Sequence, residues 1–560
     1  MRASRWPLVL ASVAMVWSAF AGAQSFVGPS AAARADSRPA IGTSGMVSSA
    51  HPEATRVGLE ILREGGNAFD AAVAVAAALN VVEPAMSGVG GYGTILIYDA
   101  AKRESRFLNP SGRIPKAVNS DVFRPPTPFY QANRRGAKAV STPGNLHAWE
   151  ALSNSYGRLP WARVLKPAIT LADRGFAVDR GLAALLKGTY ASFPEHARGI
   201  YGANGQPLRE GDRLVQADLA HSLRRIVDEG PRALYGGGLG RAVDAAMREA
   251  GGFLSLADLE ADEAGWWKPI SISYRGHEVV TASPPANAFD MLVRLGMMGR
   301  FDVKALGPDS AAYLHRFAEV TKHAFRVRLE YAGDPDVSPP PLGLLLSEKY
   351  WAERVSRIDT KRASHFVPPG VSDRQSHTTH FVVADRWGNV VSATQTLGNA
   401  FGSRIMPRGT GIWLNNSLEY CTFEPKGNPM DAHAGRRKLS GDCPTLVMRD
   451  ARPWIAIGTP GGHTIGQVVP QIVMNLVDFR MDIARAIAAG RISFVEPDDL
   501  AVEPTISQEV RGELAAMGHR VRVFRLGNAH GLTIEYDAAG RPARFLGAAD
   551  PRGIGLAIGY

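Results

Sequence analysis

The residues of this 560-residue chain whose types and spacing could do chemistry lie between Ser376 and Arg404, in SHTTHFVVADRWGNVVSATQTLGNAFGSR. Thr378 to Asp385 alternates as a β-strand does, and a second such run from Asn389 to Thr396 follows Arg386-Trp387-Gly388, which predicts a hairpin. Three-residue hairpin loops favour a type I turn that ends in a left-handed residue, and Gly388 occupies that place. A turn centred on Trp387 sets Thr378 opposite Thr396, with their Cβ atoms about 5 Å apart on one face. A one-residue slip would send the two hydroxyls to opposite faces. A threonine hydroxyl is a poor nucleophile until a base takes its proton, and an N-terminal α-amine is one base that can do so. Its pKa of about 7.7 to 8 leaves far more free base at neutral pH than a lysine offers. An internal threonine has no such amine until the chain is cut. Without a cut, the β-propensity of threonine accounts for the pair equally well.

HTTHFVVADRWGN, TQTLGNAFGS, GTGIWLNN and GTPGGHT occur in that order and resemble the γ-glutamyltranspeptidase family of N-terminal-nucleophile hydrolases. The resemblance implies that the chain cuts itself between His377 and Thr378. Thr378 attacks the carbonyl before it, an ester forms, water releases it, and the new amine becomes the base. It gives Thr396 the role of a second hydroxyl that holds and activates the nucleophile, and Gly461 and Gly462 that of an oxyanion hole. Backbone N–H groups aimed at a developing oxyanion need close approach, which glycine permits. The implied fold is α+β, a four-layer αββα sandwich of two interleaved fragments. These are a large one, 24–377, with a pre-cleavage linker over about 361–377, and a small catalytic one, 378–560. No cofactor or metal is expected, and His380 reads as a packing residue of the motif.

The substrate end departs from the family pattern. A γ-glutamyl site grips the α-carboxylate with an arginine and paired serines, and the α-amino group with Asn, Gln and Asp. Matched residue by residue, these become Ser111, the pair Ser440 and Gly441, then Gly398, Ser417 and Tyr420. Arg113, two residues from Ser111, and Glu419, beside Tyr420, are the candidate substitutes, although neighbouring strand residues point oppositely. Two readings therefore stay open: γ-glutamyl transfer from or hydrolysis of glutathione and related amides, or an amidase of other acyl specificity, cephalosporin-acylase-like or oxamate-amidase-like. A third is an exported, non-processing binding protein. The expected partners are a small amide substrate, water or an amine acceptor, and the chain's own two fragments.

The elements that must position these groups follow from patterning. Residues 1–23 have Arg2 and Arg5, an apolar run and Ala21-Gly22-Ala23, a secretory signal that implies a periplasmic or secreted protein. The chain is 45% hydrophobic and 21% charged, enough apolar material for a large core. Its net charge of +10 is spread among acids, which argues against a nucleic-acid partner. Helices are predicted over Glu53 to Glu64, after the Asn67 and Asp70 cap, and over Glu509 to Met517, with helical spacing also around Ile472 to Ile483. SGVGGYG, Ser87 to Gly93, lacks the Lys-Ser/Thr ending of a phosphate loop; in the family another glycine is usual at Tyr92. Cys421 and Cys443 are the only cysteines. A disulfide holding their loop as a lid is expected for an exported protein, with two separate buried thiols as the competing reading.

Overall fold

The hairpin forms with the expected register in the computed structural model, which describes residues 38–129, 131–366 and 377–560. The signal segment 1–23 and residues 367–376 of the linker lie outside the described residues. Thr378 faces Thr396, His380 faces Thr394 and Val382 faces Ser392. Gly388 takes φ +88° and its N–H donates to the Asp385 carbonyl at 3.0 Å, as the three-residue loop requires.

Two seven-stranded sheets carry the fold. Their strands are β1 (Ala40–Gly42), β2 (Gly45–Ser49), β3 (Tyr92–Asp99), β4 (Glu104–Asn109), β5 (Gly265–Trp267), β6 (Ile270–Tyr274), β7 (His277–Thr281), β8 (His377–Asp385), β9 (Val390–Gly398), β10 (Thr445–Arg449), β11 (Arg452–Gly458), β12 (His530–Tyr536), β13 (Pro542–Ala549) and β14 (Leu556–Gly559). One sheet runs β14-β2-β8-β9-β3-β4-β5, the other β1-β13-β12-β11-β10-β7-β6. The catalytic hairpin β8–β9 is thus interior to its sheet, flanked by β2 and β3. Both sheets draw strands from either side of the His377–Thr378 bond, so segments 38–366 and 378–560 are interleaved.

Period-two alternation sorts the strand residues into three apolar layers. Val382, Ala384, Val390 and Leu96 meet Leu446, Ala456, Leu532 and Phe545 between the sheets. Phe381, Val383, Val391 and Ile97 turn outward onto helices α1 (Pro52–Arg63) and α2 (Ala68–Val82). On the far side Val447, Ile455 and Ile457 pack against α3 (Phe289–Met298), α4 (Ala311–Tyr331) and α5 (Ile465–Val477). This is the four-layer αββα sandwich, with Thr378 on the inter-sheet face.

The capping signals operate as read. The Asn67 side chain accepts from the Phe69 and Asp70 N–H groups, and the Asp70 carboxylate accepts from the Asn67 N–H, a reciprocal capping box. Every residue of α2 is buried, and its alanines let it lie close to β8. The spacing around Ile472 to Ile483 resolves into two helices. α5 ends at Val477, and Asp482 caps a new helix, Ile483–Ala488. Arg480, at φ +54°, breaks the path between them.

The two sheets approach closely at Gly458 of β11. A Cβ built there would lie 2.2 Å from the buried His380 ring, whose Nδ1 is engaged with Thr394 Oγ1 at 2.9 Å. Gly458→Ala should therefore force the sheets apart. We expect a loss of about 1–3 kcal/mol, read as a lowered thermal midpoint together with a smaller fraction of self-cut chain on a denaturing gel.

Candidate active site

At the end of the hairpin the uncut chain places three groups in a row. The Thr378 hydroxyl donates to Thr396 Oγ1 at 3.2 Å, and the Thr396 hydroxyl donates to the His377 carbonyl at 2.7 Å. The Gly398 N–H donates to Thr396 Oγ1 at 2.8 Å. A hydroxyl has one donor and two lone pairs, so these contacts fix its orientation. The ladder shifts register between His377 and Thr378, a local irregularity at the peptide bond that the resemblance marks for cutting. Thr396 thus contacts both the Thr378 hydroxyl and the His377 carbonyl.

The strand geometry bears on where the loop of Gly461 and Gly462 lies. Ser392 Oγ donates to the Ile457 carbonyl at 3.3 Å, and Gly458 lies against His380, so β11 runs antiparallel past β8 towards Thr378. Three and four residues beyond Gly458, Gly461 and Gly462 adopt φ +133° and +57°, a conformation that disfavours other residues. The turn Gly462–Thr464 leads into the thirteen-residue α5, whose N-terminal dipole end favours negative charge. Beneath the loop, the Arg294 guanidinium donates to the Gly466 carbonyl at 3.0 Å and pairs with Asp290 at 3.0 Å, both side chains buried. His380 is pushed well below its ordinary pKa by burial and so stays neutral, a packing residue as expected. Glu83, which sequence reasoning missed, accepts from Thr379 Oγ1 at 2.7 Å behind the nucleophile. Burial raises it to about 7.

The predicted substrate residues divide. Ser440 Oγ accepts from the Asp442 N–H at 3.2 Å, and the Ser440 carbonyl accepts from the Asn287 N–H at 2.6 Å. A Cβ on Gly441 would lie 3.1 Å from the Gly462 carbonyl, so this pair adjoins the oxyanion loop. Ser417, Glu419 and Tyr420 belong to a 3-10 turn, Ser417–Tyr420, so strand alternation does not govern where Glu419 points. Its carboxylate accepts from Asn416 Nδ2 at 2.8 Å and from Asn399 Nδ2, just past the end of β9. Ser417 Oγ donates to Ser141 Oγ, and the Tyr420 ring meets His463 edge-on at 5.5 Å. Arg113 forms a backbone bridge with Arg437 and donates to the Gly435 carbonyl at 3.3 Å. Gly398 takes φ +98°, and a Cβ there would lie 2.2 Å from Asn416 Oδ1; the asparagine usual in the family would strain the backbone and displace the Asn416 side chain.

Sequence reasoning also missed the group beside this turn. Lys438 is 2% exposed, with its ammonium 3.6 Å from the Tyr92 ring centre and 5.3 Å from that of Tyr420. Tyr92 is the register partner of Thr396. Burial pushes Lys438 down from the usual lysine range, against the opposing pull of the Asp442 charge, and burial likewise raises Asp442. The only advance signal was Tyr92 standing where the family usually has glycine.

Two further expectations meet the structure here. Cys421 and Cys443 are both buried and no disulfide joins them, which corrects the expected disulfide. Cys421 packs with Ile114, Val118 and Leu418, whereas Cys443 belongs to the layer of Val447 and Ile455, so the two thiols fill separate cores. His315, Glu319 and His519 bring one ligand atom each within 4.8 Å of one another. That cluster is already a closed polar network. His315 Nδ1 meets His519 Nε2 at 2.8 Å, His315 Nε2 meets the Asp359 carbonyl at 2.8 Å, and Lys322 pairs with Glu319 at 2.9 Å. A lysine ammonium beside the carboxylate opposes a metal cation.

Fold and site together define a hydrolase of the N-terminal-nucleophile type, with threonine as the attacking residue. A family model described as Gamma-glutamyltranspeptidase matches residues 54–560, and the chain belongs to that family. It is 35% identical over 540 residues to the glutathione hydrolase proenzyme of Escherichia coli strain K12, covering 92% of each chain. It is 37% identical over 499 residues to the Acylase ACY 1 proenzyme of Pseudomonas sp. strain SE83, covering 87% of this chain and 88% of that one. The solved structure of cephalosporin acylase from Bacillus halodurans superposes with a TM-score of 0.85 at 27% identity, covering 96% and 98% of the two chains.

Two outcomes follow from this geometry. Thr378→Ala should remain one chain on a denaturing gel, and Thr396→Ala should cut about 100- to 1000-fold more slowly, the effect of removing one donor to a developing oxyanion. Titration of denatured, unreduced protein with a thiol reagent should find both cysteines reactive.

Proposed function

We propose that this chain is a self-processing threonine amidohydrolase and acyltransferase that takes γ-glutamyl amides, glutathione among them, through a Thr378 acyl-enzyme. The observation that carries the reading is the contact of Thr396 with both the Thr378 hydroxyl and the His377 carbonyl. In the first step Thr378 Oγ1 bonds to the His377 carbonyl carbon, the His377–Thr378 C–N bond breaks, and the nitrogen leaves as the Thr378 amine. Water then cleaves the ester, leaving fragments 24–377 and 378–560 as an interleaved pair. In catalysis the freed amine takes the Thr378 hydroxyl proton as the oxygen attacks the substrate amide. Gly461 and Gly462 N–H groups stabilise the oxyanion, and the amine returns the proton to the leaving nitrogen. Water or an amine then releases the acyl group.

For the γ-glutamyl head, Glu419 at the end of β9 supplies the anionic partner that a desolvated ammonium needs. A second reading has its own support. The positions that hold the ammonium in the family are Gly398, Ser417 and Tyr420 here, none of them charged, and a side chain at Gly398 would be strained and would displace Asn416. That loss favours an acyl group with no ammonium, and the similarity to acylases points the same way. Among the described residues no helix is long and apolar enough to cross a membrane. The signal-like residues 1–23 support an exported, periplasmic or secreted protein.

Purified protein should give two bands, the smaller beginning Thr-Thr-His-Phe by N-terminal sequencing, and should release p-nitroaniline from γ-glutamyl-p-nitroanilide. Turnover of glutaryl-p-nitroanilide alone would replace the γ-glutamyl reading with the second one. An intact single chain from a folded preparation would overturn both.

A further inference from the structure

We propose that Lys438 and Tyr92 together receive a carboxylate carried at the far end of the acyl donor. The inference rests on the amidohydrolase reading and names the chemistry its site selects. In the family that carboxylate goes to an arginine, whose place here is taken by Ser111, an uncharged residue whose hydroxyl donates to the Lys438 carbonyl at 3.2 Å. Arg113, the nearest sequence substitute, is directed at the Gly435 carbonyl. Lys438 is the cation beside the nucleophile's strand pair.

Two observations point to a missing anion. The Lys438 ammonium donates to its neighbour's carbonyl, Leu439, at 2.9 Å, which leaves two of its three N–H donors. Among the described residues no carboxylate oxygen forms an ion pair with it within 4.0 Å; Asp442, and more weakly Cys421, act on it only through their charge. Aromatic faces are the neighbours it has, and a cation over a ring gains about 2 kcal/mol when desolvated, less than a buried ammonium loses on leaving water. Independently, the Tyr92 hydroxyl is buried with no hydrogen-bond partner among the described residues, and Tyr92 is 1% exposed. A buried phenol ordinarily finds a partner. One carboxylate answers both deficits, accepting from the ammonium and from the phenol.

The placement suits an acyl donor. Tyr92 lies opposite Thr396, and Thr396 opposite Thr378, so Tyr92 stands two strand spacings from the nucleophile, roughly 10 Å. A dicarboxylic acyl group of about five carbons, with a reacting contact at one end and a hydrogen bond at the other, has that reach. Both γ-glutamyl and glutaryl groups carry the required carboxylate, and they differ by the ammonium that Glu419 would meet. The competing account is that Lys438 and Tyr92 are only a packed cation–aromatic pair.

The test uses the full-length, self-cut protein and three p-nitroanilides, γ-glutamyl, glutaryl and the carboxylate-free butyryl. Lys438→Met should raise KM for whichever carboxylate-bearing donor the wild type uses by about 30- to 100-fold, the worth of a charge-assisted hydrogen bond. Selectivity over the butyryl donor should fall by the same factor. Tyr92→Phe should lower that selectivity a few-fold, and Lys438→Arg should keep most of it. A preference of the wild type for γ-glutamyl or for glutaryl identifies the donor and is compatible with the proposal either way. If Lys438→Met is not processed, Lys438→Gln, similar in length and neutral, replaces it in the same assay. An equal loss on all three donors, or unchanged selectivity, would overturn the carboxylate site and leave the amidohydrolase reading standing. Self-cut wild type that turns over none of the three would overturn that reading and this inference with it.

Discussion

The hydrogen bond between Thr378 and Thr396 exists only while β8 and β9 keep one register, and the sandwich enforces that register from four directions. β2 and β3 clamp the hairpin in the plane of the sheet. The second sheet and α2 bury its two faces. A slip of one residue would turn Phe381 and Val383 towards the polar end of the cleft and drive His380 into the helices. Because each strand is buried on both faces, no alternative pairing leaves the apolar layers intact. The nucleophile's position is therefore a property of the core, and its hydroxyl is oriented before any substrate arrives, the condition under which fixed donors stabilise a transition state.

What was legible in the sequence was what is local. The hairpin could be read because a three-residue turn with Gly388 sets the pairing of every later residue. α2 could be read because Asn67 and Asp70 cap it within one turn. The ordered motifs carried the sandwich, with its three apolar layers set by alternation along each strand. What was not legible depends on contacts across long sequence separations. Lys438 lies on Tyr92, hundreds of positions earlier, because the loop before β10 passes over the end of β3, and no periodicity announces that. The cysteines sit close in sequence yet belong to separate cores. The orientation of Glu419 was misjudged for a related reason, since strand alternation was applied to a residue that lies in a 3-10 turn.

The two ends of the proposed site are held differently. In the proposed mechanism Thr378, Thr396, Gly461 and Gly462 serve the reacting carbonyl, whatever acyl group it carries. Gly398 shows the opposite pressure. At φ +98° and with Asn416 Oδ1 where its Cβ would be, it has given up a side chain so that the Asn416 amide can brace the turn that holds Glu419. Tyr92 stands where the family usually has glycine, and the buried Lys438 ammonium lies over its ring. A glycine there would give that ammonium no aromatic face to lie on.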